Sequence, residues 1–186
     1  MTARSFVRCL VALSPAILLA SVFASTLRQA SAIQATAADA ALYRSVSGSD
    51  YTVGGPCGAT IQACIDNPIV VAGDRILIPA SRYTESLVLN KAVSLIGADA
   101  STTIVHAVID DRAMLITGSA ITATTIISGL TFAGGNLTGF TCPAGCGGGI
   151  LVAGAAQPLI QNSVISNNRV DFHGGGLYVA ANSPLN

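Results

Sequence analysis

Short apolar runs with a period of two fill the chain from Gly73 onwards. Each run is three to five residues long and ends at Gly, Asn, Pro or Lys. Such alternation predicts half-buried β-strands, and the lack of helical segments between the runs excludes βαβ units. The residues that alternate towards one face are Ile76 and Ile78, Leu87 and Leu89, and Val93 and Leu95.

The strand pattern occurs twice between residues 124 and 179. Segments 125–135 and 158–168 match at an offset of 33, and the Gly-rich segments 147–152 and 174–179 match at an offset of 27. The two offsets differ by six because the connection between the matching segments is six residues longer in the first copy (136–146) than in the second (169–173). A fixed strand framework with variable connections predicts a stack of repeats.

The repeat also predicts which side chains face the core. Gly129 and Asn162 share one repeat position between two inward runs, and both tolerate left-handed backbone, so they are predicted to form a corner. Thr and Ser at Ser94, Thr103, Thr131 and Ser166 are expected to face outward. The predicted inward residues are Ile127, Leu130, Phe132, Ile150, Val152, Ile160, Ser163, Ile165, Leu177 and Val179.

A short amphipathic helix is predicted before the strands, over residues 60–67. Apolar residues at positions 61, 64 and 65 fit one helical face, Thr60 is an N-cap residue, and Pro68 prevents continuation. Stacked parallel strands leave an open end with unpaired backbone groups. We expect the helix to cover that end.

The first 32 residues have the pattern of a secretory signal peptide. Arg4 and Arg8 precede an apolar run over 9–24, and Ala30-Ser31-Ala32 supplies small residues for cleavage. The alternative is a membrane anchor, but the run of about 16 residues is shorter than the roughly 20 that a spanning helix needs. The mature chain is therefore predicted to be secreted or on the cell surface, without a transmembrane span.

The cysteine count agrees with export. Cys9 lies in the predicted signal peptide, and the remaining even number suggests two disulfides. Four cysteines allow three pairings, of which the local pairs are the simplest. Zinc-knuckle spacing is absent and His106 and His173 lie elsewhere, so no metal or other cofactor is predicted. The disulfide cysteines are Cys57, Cys64, Cys142 and Cys146.

Several of these segments resemble the pectin lyase-like superfamily of right-handed parallel β-helix proteins, in which Gly-Asp-x-Ile-x-Ile-x-x-Gly-x-Tyr-x-Glu follows a capping helix. The chain departs from that pattern at Ser81-Arg82. The resemblance implies an all-β, right-handed parallel β-helix (solenoid) over 56–186 with a short N-terminal capping α-helix, after a tail and first strand over 33–55. It is carried by Gly73–Ala80, Tyr83–Leu87, Lys91–Gly97, Thr102–Val105 and the Gly-Gly-Gly-Ile and Asn-Ser-Val-Ile-Ser-Asn-Asn repeats, which are similar to bacterial surface members.

Composition narrows the classes of partner. The 186 residues are 51% hydrophobic and 10% charged, with 19 Gly and a formal net charge of zero. Such a chain is too apolar for disorder, and without a basic stripe it is not expected to bind nucleic acid.

No catalytic residue of a pectinesterase can be carried over from the resemblance. Gly129-Leu130-Thr131-Phe132 matches the strand of those enzymes, but Gly134-Gly135-Asn136 follows where they have a Gln-containing stretch. A polysaccharide lyase needs a basic residue and clustered carboxylates. Lys91 is the single lysine, and Asp110-Asp111-Arg112 is predicted to be a solvated turn.

Two residues remain as weak candidates for catalysis. Asp171 and His173 lie two positions apart in a loop beside Gly174, where they could share a face with a substrate groove. We read them first as turn residues. The sequence thus predicts a binding or structural module for a polysaccharide or cell-surface glycan, adhesin-like in character. The alternatives are a carbohydrate-active enzyme whose catalytic coils lie beyond residue 186, and a passenger segment of a larger adhesin.

The end of the sequence is expected to fall inside a coil. Pro184-Leu185-Asn186 occupies the place where Pro158-Leu159-Ile160 opened the preceding strand, and no closing repeat follows. The final coil is therefore expected to expose unpaired backbone groups, which would favour oligomers.

We expect the exported protein to begin near Ile33, because cleavage follows the small residues that end the predicted signal peptide. N-terminal sequencing of secreted material checks this, and retention of Met1 in that material would contradict it.

Overall fold

A computed structural model describes residues 48–142 and 144–180. The predicted signal peptide and the strand predicted around Pro184 lie outside these residues. Fifteen strands and one helix are described. They are β1 (Asp50–Thr52), α1 (Ile61–Asp66), β2 (Arg75–Ile78), β3 (Ser81–Thr84), β4 (Leu87–Leu89), β5 (Ser94–Gly97), β6 (Thr103–His106), β7 (Met114–Thr117), β8 (Ile126–Ser128), β9 (Thr131–Ala133), β10 (Asn136–Leu137), β11 (Ile150–Ala153), β12 (Leu159–Gln161), β13 (Val164–Ser166), β14 (Arg169–Val170) and β15 (Leu177–Val179).

The strands form three larger sheets in which every pairing is parallel. Sheet A has the order β1-β2-β5-β8-β12, sheet B has β3-β6-β9-β13, and sheet C has β4-β7-β11-β15; β10 and β14 form a fourth, two-stranded sheet. From β2 onwards the chain passes through sheets A, B and C in that order four times. Each such passage is called a round below. The all-β class is confirmed for the described residues.

Apolar side chains stack in columns because successive rounds pair in register. Leu95, Ile127 and Ile160 are direct partners in sheet A. Neighbouring parallel strands lie about 4.8 Å apart, so each side chain in a column packs on the one above it. The apolar members of the predicted inward set are confirmed: Ile127, Leu130, Phe132, Ile150 and Val152 are fully buried, and Ile160, Ile165, Leu177 and Val179 pack against this core while partly exposed. Ser163 is half-buried and is not part of the core; its hydroxyl accepts from the Leu130 N–H at 3.5 Å and donates to the Gln161 carbonyl at 2.9 Å.

The predicted corner is also confirmed. Gly129 has φ +70° and Asn162 has φ +47°, which is the left-handed region at the same repeat position in successive rounds. The Gly129 N–H donates to the Asn162 carbonyl at 3.2 Å. In the round before, a Cβ on Gly97 would lie 2.1 Å from the Gly129 oxygen, so the rounds approach too closely there for a side chain.

The expectation that Ser94 and Thr103 face solvent is wrong. Ser94 is 8% exposed and Thr103 is fully buried. The Ser94 hydroxyl accepts a hydrogen bond from the Ile126 N–H at 2.9 Å, and the Thr103 hydroxyl accepts one from the Asp99 N–H at 3.4 Å. Both hydroxyls therefore satisfy backbone N–H groups where the chain enters or leaves a strand, and these hydrogen bonds compensate for the burial of the two polar side chains.

Helix α1 forms as predicted, and its first three N–H groups all have acceptors. The Thr60 hydroxyl accepts from Ala63 at 3.1 Å, as an N-cap residue does. The Glu85 carboxylate accepts from Ile61 at 3.1 Å and from Gln62 at 2.9 Å. The helix buries the predicted face, Ile61, Cys64 and Ile65.

One side chain of α1 also occupies the outer edge of sheet C. The Gln62 amide oxygen accepts from the Val88 N–H at 2.8 Å, and its NH₂ donates to the Val88 carbonyl at 3.3 Å. These bonds take the place of an adjacent strand at β4. The outer edge of β4 is therefore blocked at Val88.

The residues that carry the family resemblance have structural roles in the first round. Asp74 is 4% exposed, and its two carboxylate oxygens accept from the Ser49 N–H at 2.7 Å and the Val71 N–H at 2.8 Å. The Tyr83 hydroxyl donates to the Pro79 carbonyl at 2.9 Å. Burial, with a smaller contribution from the Glu85 charge, raises the pKa of Tyr83.

Replacing Glu85 by Ala should lower the free energy of unfolding by about 1–2 kcal/mol, because the Ile61 and Gln62 N–H groups lose their acceptor. Urea unfolding with the disulfides intact measures this. Asp110→Asn is the matched control, since Asp110 is an exposed carboxylate away from the helix. We expect the control to change stability by less than about 0.5 kcal/mol. Equal losses in both variants would contradict the role given to Glu85.

Candidate functional site

Three long connections of the described chain leave sheet B and enter sheet C. They follow β6, β9 and β13 and precede β7, β11 and β15. We call residues 107–113, 134–142, 144–149 and 167–176 the loop wall. Each connection forms one layer of this wall. Backbone hydrogen bonds join neighbouring layers: β10 pairs with β14, and the Asn136 N–H donates to the Asp111 carbonyl at 2.9 Å.

A disulfide and an arginine fix the long middle layer of the loop wall. Cys142 pairs with Cys146 across a Cα–Cα distance of 5.2 Å. The Arg112 guanidinium donates to the Cys146 carbonyl at 2.9 Å and to the Ala144 carbonyl at 2.5 Å. Burial lowers the pKa of Arg112, and the neighbouring Asp111 charge acts in the opposite direction. The disulfide and the two hydrogen bonds thus tie the described part of this connection to the preceding layer of the wall.

The second disulfide ties α1 to the chain that enters it. Cys57 pairs with Cys64 across a Cα–Cα distance of 4.5 Å. Both local pairings predicted from the sequence are confirmed. Disulfides that close loops this short stabilise by about 2 kcal/mol each in the chain-entropy estimate.

A cleft of about 530 Å³ lies between the start of the loop wall and the outer face of sheet B. Strands β3 and β6 supply polar side chains on one side, and the connection after β6 supplies two exposed apolar side chains on the other. Gly134 and Asn136 come from the next round. The lining residues are Arg82, Thr84, His106, Ala107, Val108, Ile109, Asp110, Gly134 and Asn136.

His106 is held in one orientation at the base of the cleft. Its Nδ1 lies 3.0 Å from the Ala107 carbonyl oxygen. A carbonyl only accepts, so Nδ1 donates and Nε2 carries the lone pair in the neutral ring. A Cβ on Gly134, which has φ +77°, would lie 2.3 Å from Nε2. The ring can occupy this place only because residue 134 is glycine.

Two opposite charges in the cleft are not neutralised by ion pairs within the described chain. Arg82 and Asp110 are both exposed, and the ion pair found among the described residues is Arg75 with Asp50. Asp110 has φ +57°, a conformation that costs a non-glycine residue of order 1 kcal/mol. Next to it, Ile109 is 89% exposed. A strained turn that presents an apolar residue and a carboxylate beside a free cation is typical of a binding site.

The two catalytic candidates from the sequence lie in the loop wall and outside the cleft lining. An Asp171 carboxylate oxygen accepts from the Gly139 N–H at 2.6 Å and so joins two layers of the wall. The His173 ring stacks on Tyr178, with centroids 6.5 Å apart, and its carbonyl accepts from the Gly147 N–H at 3.2 Å. These contacts brace the loops. A catalytic role for either residue stays a prediction.

The sequence reasoning missed the residues that line the cleft. In the sequence, Arg82 stands out only as a departure from the pattern of the similar family, and Asp110 only as part of a predicted solvated turn. Asp110 is exposed as predicted, but Arg112 is half-buried and bonded to the disulfide loop. Aligning β3 with β6 would have helped, because Thr84 and His106 are direct partners on the outer face of sheet B.

Comparisons with models of protein families, with curated proteins and with solved structures gave no match. Within the described residues, no group of three His, Cys, Asp or Glu side chains is arranged to hold a metal ion. The geometry of the cleft is therefore the basis for a functional proposal.

Proposed function

We propose that this protein is an exported parallel β-helix module that binds a polysaccharide or cell-surface glycan in the cleft beside the loop wall. The β-helix winding is supported by the fixed order in which the chain passes through sheets A, B and C, and by the parallel, in-register pairing of successive rounds. Helix α1, which covers the outer edge of β4, acts as the N-terminal cap in this proposal.

The observation that carries the proposal is the mixed lining of the cleft. Arg82 supplies hydrogen-bond donors, Asp110 supplies acceptors, and Asn136 can supply both. Sugars present hydroxyl groups that donate and accept, together with apolar C–H surfaces that suit Val108 and Ile109. The polar residues on β3 and β6 belong to a hydrogen-bonded sheet, so the site is preorganised for its ligand.

The same lining favours binding over cleavage. Hydrolysis of a glycosidic bond by the usual route needs two facing carboxylates, and Asp110 is the one carboxylate among the cleft residues. A polysaccharide lyase needs clustered carboxylates beside its base, and Arg82 has only Asp110 with it in the cleft. Lys91, the single lysine of the sequence, donates to the Asn67 and Val70 carbonyls, both at 3.0 Å, and is not among the cleft residues.

Two further observations support export. Both cysteine pairs form disulfides, as proteins of oxidising compartments do. The first 32 residues have the signal-peptide pattern described above. In the described part of the chain, no helix has the length and apolar character needed to cross a membrane.

Binding to a panel of neutral and acidic polysaccharides, measured by calorimetry, tests the proposal. Arg82→Ala should weaken binding about ten- to hundredfold, because a hydrogen bond from a charged donor contributes about 1.5–3 kcal/mol. Arg75→Ala is the matched control, since Arg75 is an exposed arginine paired with Asp50 away from the cleft. The control should bind as the unaltered protein does.

Three results would contradict parts of this account. Absence of binding to every polysaccharide would overturn the ligand class. Equal weakening by Arg82→Ala and Arg75→Ala would show that the cleft is not the site. Release of new reducing ends or unsaturated products during incubation would favour the alternative, a carbohydrate-active enzyme.

A further inference from the structure

The cleft beside the loop wall holds one positive and one negative side chain. Arg82 lies on β3 and Asp110 in the connection after β6, and both are exposed. Within the residues that the structure describes, neither side chain has an ion-pair or hydrogen-bond partner. In contrast, Arg75 and Asp50 pair on sheet A through two hydrogen bonds at 2.7 Å. The cleft thus presents two uncompensated charges of opposite sign.

Strand β3 fixes the place of the positive charge. Tyr83 packs against the core, so its neighbours Arg82 and Thr84 point to the outer face of sheet B. All four residues of β3 pair in register with β6. The arginine is therefore carried by a backbone that hydrogen bonds hold in the sheet, although its side chain is exposed.

The negative charge is carried by a turn that is anchored on both sides. Before it, the Val108 N–H donates to the Ser86 hydroxyl at 3.2 Å, and after it the Asp111 carbonyl accepts from the Asn136 N–H at 2.9 Å. Asp110 itself has φ +57°. A left-handed residue other than glycine persists where its surroundings over-determine it. These anchors hold the carboxylate in the cleft, although no partner in the described chain attracts it.

Two held charges of opposite sign select against ligands that carry charge of one sign. An anionic chain compensates Arg82 but is repelled by Asp110, and a cationic chain meets the reverse. A neutral ligand displaces water from both groups and leaves both charges uncompensated. A ligand with a carboxylate and an ammonium group compensates both.

We propose that the ligand of the cleft is a zwitterionic glycan, whose repeating unit carries a carboxylate and a free amino group. This inference rests on the proposed function and names its ligand class. The Arg82 guanidinium can bind the carboxylate through two parallel N–H donors, and the Asp110 carboxylate can accept from the ammonium group. Val108 and Ile109 supply apolar surface for the C–H faces of the sugar rings in the same cleft.

Calorimetry of the exported protein with four oligosaccharides of one backbone tests the proposal. Hyaluronan oligosaccharides carry the carboxylate alone, and removal of their N-acetyl groups adds the amine. Carboxyl reduction of each of these gives a neutral probe and an amine-only probe. We expect the zwitterionic probe to bind about tenfold or more tightly than each of the other three, because they leave at least one charge of the cleft uncompensated.

Variants that remove one charge each give a sharper test. Asp110→Asn keeps a residue that tolerates left-handed backbone, and it should bring the carboxylate-only probe to within about twofold of the zwitterionic probe. Arg82→Gln should do the same for the amine-only probe. The matched controls Asp50→Asn and Arg75→Gln change the net charge equally but lie outside the cleft lining, and they should leave the preference unchanged. One buffer in which the sugar amine is protonated serves all measurements, so any charge on His106 is common to them.

Equal binding of the zwitterionic and neutral probes would overturn this inference and leave the proposed function in place. Binding of other polysaccharides but of none of these four probes would do the same, whereas absence of binding to every polysaccharide would overturn both. An unchanged preference in both cleft variants would also overturn the inference, as would tighter binding of a peptide of alternating Lys and Glu, which would assign the cleft to a protein partner. Circular dichroism checks the fold of each variant, and the comparison of the four probes on the unaltered protein does not depend on the variants.

Discussion

The in-register stacking of apolar side chains across parallel strands is the interaction on which the other features of the described chain depend. Each column brings one residue from each round, such as Leu95, Ile127 and Ile160, to about the spacing of neighbouring strands. Full burial of an Ile or Leu side chain contributes about 1.5–3 kcal/mol. A slip of one residue would turn each column towards solvent, so the register is strongly determined.

The site follows from this register. Because the strands are short and fixed, extra residues accumulate in the connections. The connections that end at β11 and β15 are the two longest from β2 onwards, and both lie between sheets B and C. They stack on one another through β10, β14 and the Arg112 contacts and so form a wall. The cleft is the space between that wall and the outer face of sheet B. A repetitive scaffold can therefore hold a specific site without altering its core.

The sequence was most informative where the structure repeats. The inward positions, the left-handed corner at Gly129 and Asn162, and helix α1 all came from period, offset or capping residues. The sequence was not informative where a side chain forms hydrogen bonds with residues far away along the chain. Glu85 caps a helix 24 residues earlier, and Ser94 satisfies the N–H of residue Ile126, 32 positions later. No local sequence pattern identifies partners so far apart. The same is true of Arg82 and His106, which come from different strands and line the same cleft.

The central claim is that the rounds stack in register, and methyl–methyl nuclear Overhauser effects test it most directly. The account predicts that the Ile127 methyl groups show contacts both with Leu95 and with Ile160, which are its direct partners in the rounds before and after. In a folded sample, contacts of Ile127 with neither residue, or with residues displaced by one or two positions from them, would contradict the stacking described here.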